Sequence, residues 1–96
     1  MNIKLSPQRR DDSLTLHRNG DILTINSVEY DFSQLEEGDL LPRDAIENPF
    51  IISDVERVEG SITLTLLLPH GANASEAARF PQPVVNPPNG NVVLPS

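Results

Sequence analysis

The 96-residue chain has no cysteine and no tryptophan, and only four aromatic rings: Tyr30, Phe32, Phe50 and Phe80. Without cysteine there is no disulfide framework, no thiolate nucleophile and no cysteine-based zinc site. Four rings do not supply a stacking platform for single-stranded nucleic acid. Basic residues are also scarce, seven against fourteen acidic, for a formal net charge of -7. Nucleic-acid binding needs clustered Lys and Arg to neutralise phosphates, and Asp11-Asp12 cancels the one basic cluster, Arg9-Arg10. The same charge opposes adsorption to anionic membranes. The longest apolar tract, near Ile62 to Leu68, is far shorter than the roughly 20 residues that span a bilayer. The opening "MNIKLSPQRR" lacks the apolar run of a signal peptide, so a soluble protein of a reducing compartment is expected.

Reactive motifs are missing too. No Gly-x-Ser-x-Gly elbow, phosphate-cradling glycine loop or EF-hand spacing occurs. The two histidines, His17 and His70, are far apart in sequence. His17 falls on the solvent face of a strand, and His70, in "LLPHGAN", reads as a turn residue whose ring bonds a nearby carbonyl. Asp31, Glu36, Glu37 and Asp39 crowd "YDFSQLEEGD" without the ligand alternation a calcium loop requires, and read as a solvated acidic loop. Asn73-Ala74-Ser75 matches a glycosylation acceptor and reads instead as helix capping. The expectation is no catalytic residue, no cofactor, no metal and no small-molecule substrate.

What is present is β-pattern. A two-residue loop at Asn19-Gly20 sets Leu16 against Leu23 and Leu14 against Ile25. A second, at Asn26-Ser27, sets Ile25 against Val28 and Leu23 against Tyr30. Both registers put Leu14, Leu16, Leu23, Ile25, Val28 and Tyr30 on one face, the signature of a three-stranded meander. Ser27 is the weak joint, because a type I′ turn demands positive φ at both loop positions. A further hairpin turns at Glu59-Gly60. A two-residue loop there pairs Val55 with Leu64 but sets Arg57 against Ile62, whereas a three-residue loop pairs Val58 with Ile62, and a bulge is expected. Pro42 opens a helical turn through Ile46, and Asn73 with Glu76 caps a short helix ended by Pro81.

Five of the nine prolines follow residue 80. Residues 1–80 are therefore expected to form one compact β domain and residues 81–96 an extended arm, confined to a sheet edge where it pairs, with Asn89-Gly90 as the turn of a loose hairpin. The fold class is mainly β: a small antiparallel sheet, the meander plus the second hairpin, sandwich- or barrel-like, with one or two short helical turns and the Pro-rich C-terminal arm. Edges and arm leave interaction as the expected activity, with Phe80, Val84, Val85, Val92, Val93 and Leu94 as candidate contact residues.

"YDFSQLEEGDLLPRDAI" followed by "VERVEGSITLTLLLPHGANASEAARFPQP" resembles small proteins encoded among the structural and tail-region genes of tailed bacteriophages and prophages. The likeness begins at "MNIKLSP" and thins after Pro83, and rests on the "DFS" step, the acidic loop and the "LTLLLPHG" run. Those proteins often carry Gly where Ser27 stands. The resemblance implies a non-enzymatic virion component or tail-assembly accessory in the bacterial host cytoplasm or the virion. Its partners would be phage structural or assembly proteins, or further copies of itself. A host-directed effector on a bacterial protein is the alternative, and an enzyme using His70 with an acid from residues 31–39 is the third reading.

Overall fold

The computed structural model describes residues 1–95 and is mainly β, with two sheets packed face to face across one core. The chain runs through β1 (Asn2–Arg9), β2 (Leu16–Asn19), β3 (Ile22–Ile25), β4 (Val28–Asp31) and β5 (Leu40–Leu41). A 3₁₀ turn (Arg43–Ala45) follows, then β6 (Val55–Val58), β7 (Ser61–His70), α1 (Glu76–Arg79), β8 (Val84–Val85) and β9 (Gly90–Val92). One sheet has the order β5-β6-β7-β1-β8 and the other β4-β3-β2-β9. No helix among the described residues is long and apolar enough to cross a membrane.

The meander forms the second sheet. Its Asn26-Ser27 turn lies where expected, pairing Ile25 with Val28 and Leu23 with Tyr30. Asn26 and Ser27 both have positive φ, 48° and 72°. Asn26 also clamps the open end of the hairpin: its Oδ1 accepts from the Thr15 amide at 2.7 Å and its Nδ2 donates to the Ser13 carbonyl at 3.1 Å. Ser27 is the residue that strains this turn. Ser27→Gly should stabilise the domain by roughly half to one kcal/mol, the left-handed relief exceeding the extra freedom of the unfolded chain. Urea denaturation with an unchanged m value is the check.

The first turn differs from expectation. Its loop is Gly20-Asp21, so Leu16 pairs with Ile25 and Arg18 with Leu23. Gly20 takes φ 61° and Asp21 does not have positive φ, the sense of a type II′ turn, which wants glycine at its first loop position. The register slips by two residues, not one, so every side chain keeps its face. Leu16, Leu23 and Ile25 are buried and Leu14 and Tyr30 pack at the rim, while Val28, beside the turn, is half-exposed.

In the second hairpin the two-residue loop holds: Glu59 and Gly60 have φ 50° and 80°, and Arg57 does face Ile62. The irregularity lies further along. Val55 falls opposite Leu64 on this register, yet Ile51 bridges Leu66, so residues 52–54 carry two extra residues. Ser53 Oγ fills the break by accepting from the Thr65 amide at 2.8 Å.

β1 pairs in parallel with β7, Ile3 beside Leu64 and Leu5 beside Leu66, the one departure from antiparallel pairing among the described residues. Pro7 is tolerated because β8 covers only Asn2 and Ile3, leaving the rest of β1 an edge on that side. The C-terminal segment makes no hairpin with itself. β8 pairs with β1 and β9 with β2, so the arm lies on an edge of each sheet in turn. Residue 96 lies outside the described residues. The short helix is capped by Ser75 and not by Asn73, with Ser75 Oγ accepting from the Ala78 amide at 3.2 Å.

Candidate functional site

The ionisable residues that the sequence offers as chemistry are distributed along the sandwich rather than gathered. His70 ends β7, whereas the 31–39 loop packs at its start, against the Glu59-Gly60 turn. Roughly 30 Å of strand separates them. The His70 dyad with an acid from residues 31–39 is therefore not formed. A ring N–H of His70 donates to the Gly71 carbonyl at 3.0 Å. His17 lies on the outer face, its Nδ1 3.2 Å from Asn91 Oδ1 on β9.

The acidic loop does not gather its carboxylates around a common point. Glu37 reaches both turn amides, accepting from Glu59 N at 2.9 Å and Gly60 N at 2.7 Å. Asp39 accepts from the Glu36 amide and Asp31 from the Ser33 amide, each at 2.9 Å. The Ser33 hydrogen bonds, side-chain first and backbone second, hold the Asp31 carboxyl below its ordinary value of 3.8. Among the described residues, no three His, Asp or Glu side chains come together as a metal site. Glu37 therefore works as a clamp on a left-handed turn. Glu37→Ala should cost about 1 kcal/mol of stability and speed hydrogen exchange at the Gly60 amide, with Glu37→Gln recovering part of the loss.

Arg57 is the centre of that end of the molecule. Its side chain is 15% exposed and donates to Asp21 Oδ2 at 2.8 Å, to the Leu35 carbonyl at 2.5 Å and to the Gly60 carbonyl at 3.1 Å. One guanidinium thus joins the turn of the first hairpin, the acidic loop and the turn of the second hairpin. Arg18 performs a similar task on the other flank, donating to Gly20 O, to Asn86 Oδ1 and to the Pro87 carbonyl of the C-terminal segment. Both inward-facing arginines follow from their registers but have no local sequence signal.

At the far end, an open groove of about 690 Å³ lies between the ends of β1 and β7 and the C-terminal residues. Leu14, Leu68, Ala78 and Leu94 line it together with His70, Asp11 and Asp12. Arg10 is turned to Asp12 in a two-point ion pair, 3.0 and 2.6 Å, and sits 5.6 Å from the centre of the Phe50 ring. The groove thus holds the histidine and two acids on an exposed rim, with no hydrogen bond between them among the described residues.

The six candidate contact residues divide. Val92, on β9 beside β2, is buried in the core, and Val84 and Leu94 pack against it. Phe80, Val85 and Val93 stand 71%, 69% and 89% exposed. Charge is divided as well, which the overall balance conceals. Residues 29–59 hold ten of the fourteen acids but only Arg43 and Arg57 of the seven bases. That segment supplies β4, β5 and β6, the same flank of both sheets, tied together by Asn48 Nδ2 donating to Tyr30 Oη at 2.9 Å. Comparison of the chain with protein-family models, with curated proteins and with solved structures found no match to any of them.

Proposed function

We propose that this protein is a non-enzymatic component or assembly accessory of a tailed phage or prophage particle, acting through protein–protein contacts. The separation of His70 from the acidic loop along the whole of β7 carries the non-catalytic part of the reading. The polar side chains of the acidic end bind the chain's own amides and carbonyls, and so hold the fold. Apolar and acidic groups left facing outward supply the contact surface: Phe80, Val85 and Val93 on the C-terminal segment, and the flank of β4 to β6. The phage setting rests on the likeness of the "LTLLLPHG" run and the acidic loop to tail-region proteins.

The test is size-exclusion chromatography with light scattering of the full chain, followed by capture from a phage lysate with identification of what is retained. A self-assembled oligomer, or retention of a phage structural protein, is expected, either one weakened by Val85→Asp or Val93→Asp. A strict monomer that retains no phage protein overturns the reading. The acidic flank favours a second one, a host-directed effector on a basic bacterial surface. It is distinguished by retention of a host protein from uninfected cells and by sensitivity to salt.

A further inference from the structure

We infer that the outer edge of β4 is a strand-addition site for an extended segment of another protein in which Lys or Arg alternates with apolar residues. The inference rests on the contact-based reading above and names the kind of partner. In a hairpin closed by the Asn26-Ser27 loop, the flanking pair Ile25–Val28 exchanges both hydrogen bonds, and the exchange recurs every second pair. The Phe32 amide donating to the Asp21 carbonyl at 3.0 Å continues that alternation. The main-chain groups of Glu29 and Asp31 therefore point away from β3, and β4 is the terminal strand of its sheet among the described residues. A row of unpaired donors and acceptors at a sheet edge is a template for a further strand.

The side chains select the occupant. Glu29 and Asp31 lie on the outer face and are exposed, so an added strand places two of its own side chains directly beside two carboxylates. Val28, 53% exposed, and Tyr30 lie on the other face, at the mouth of the core, and form a shelf for the intervening apolar residue. The surrounding flank, ten acids to two bases over residues 29–59, extends the attraction beyond the two contact positions. A second copy of this chain does not fit, because antiparallel pairing of two β4 edges sets Glu29 or Asp31 against an acid of the other copy.

The probe is a short synthetic peptide alternating lysine with valine, titrated into the isotopically labelled full chain and followed by amide chemical shifts and hydrogen exchange. Controls are a peptide of the same composition with its lysines in one block and a peptide alternating glutamate with valine. The alternating lysine peptide should shift and protect the Glu29 and Asp31 amides. Glu29→Pro, tolerated at an outward edge position, should weaken it at least tenfold. Glu29→Lys should weaken it by a similar factor while improving binding of the glutamate peptide. Equal shifts with the blocked peptide, protection at β8 or β9 instead, or self-association through β4 would each overturn the inference. If the peptide fails while a phage protein is still retained by the chain, the edge is wrong and the assembly reading stands.

Discussion

Arg57→Met should lower the unfolding free energy by about 3 kcal/mol, the largest loss expected from any polar residue of this protein. The substitution keeps much of the aliphatic length but leaves the half-exposed Asp21 carboxylate without its partner and the Leu35 and Gly60 carbonyls without a donor. An exposed ion pair alone would contribute only about 0.5 kcal/mol. The expected loss is larger because one shielded guanidinium serves three separate chain segments at once. Arg57→Lys should recover less than half, since a single ammonium cannot reproduce the planar fork. Equilibrium urea denaturation of the three proteins settles the ranking, and for a domain of this size 3 kcal/mol corresponds to a melting point lower by at least about 12 °C. A loss below about 1 kcal/mol would mean that Arg57 acts as an ordinary surface charge.

Ile3→Ala should be at least as damaging, at about 3–4 kcal/mol. Ile3 is fully buried, beside Leu64 on one side and Val84 on the other. Removing three carbons there opens a cavity at the seam that joins β7, β1 and β8, where strands on both sides limit collapse. Because β8 holds to β1 through only two residue pairs, hydrogen exchange in the Ile3→Ala protein should report β8 opening before the rest of the sheet. Exchange that remains uniform across both sheets would show that β8 is held by something other than Ile3.

These two positions also mark what the sequence could and could not convey. The meander was legible because its information is local: Asn26-Ser27 sets a turn, and alternation assigns the faces. That alternation survived even the two-residue slip around Gly20. The pairing of β1 was not legible, because "NIKLSPQR" carries only two aliphatic side chains and a proline, and its partner strand lies some sixty residues away. The C-terminal hairpin was suggested by Asn89-Gly90, a strong turn signal that tertiary pairing overrode: Asn89 Oδ1 accepts from the Gly20 amide at 2.9 Å, so that turn packs onto the other hairpin. Arg57 opposite Ile62 looked like a register conflict in one dimension. In three dimensions it is the reason for the register, since only an inward-facing arginine at that rim reaches Asp21 and the acidic loop together. The candidate site divides along the same line: the exposure of Phe80 and Val85 could be anticipated from the prolines around them, whereas the charge-divided flank required knowing which strands are neighbours.

The placement of β8 and β9 has a consequence for how the molecule is made. Each sheet receives a strand from residues 84–92, and β1 waits for β7 as well, so neither layer is complete until those residues have left the ribosome. Assembly from such distant pieces is slow compared with that of a local hairpin. During that interval the local hairpins can close first, the meander presenting Leu23 and Ile25 without their full cover, and a chaperone acting on this protein would find its target there.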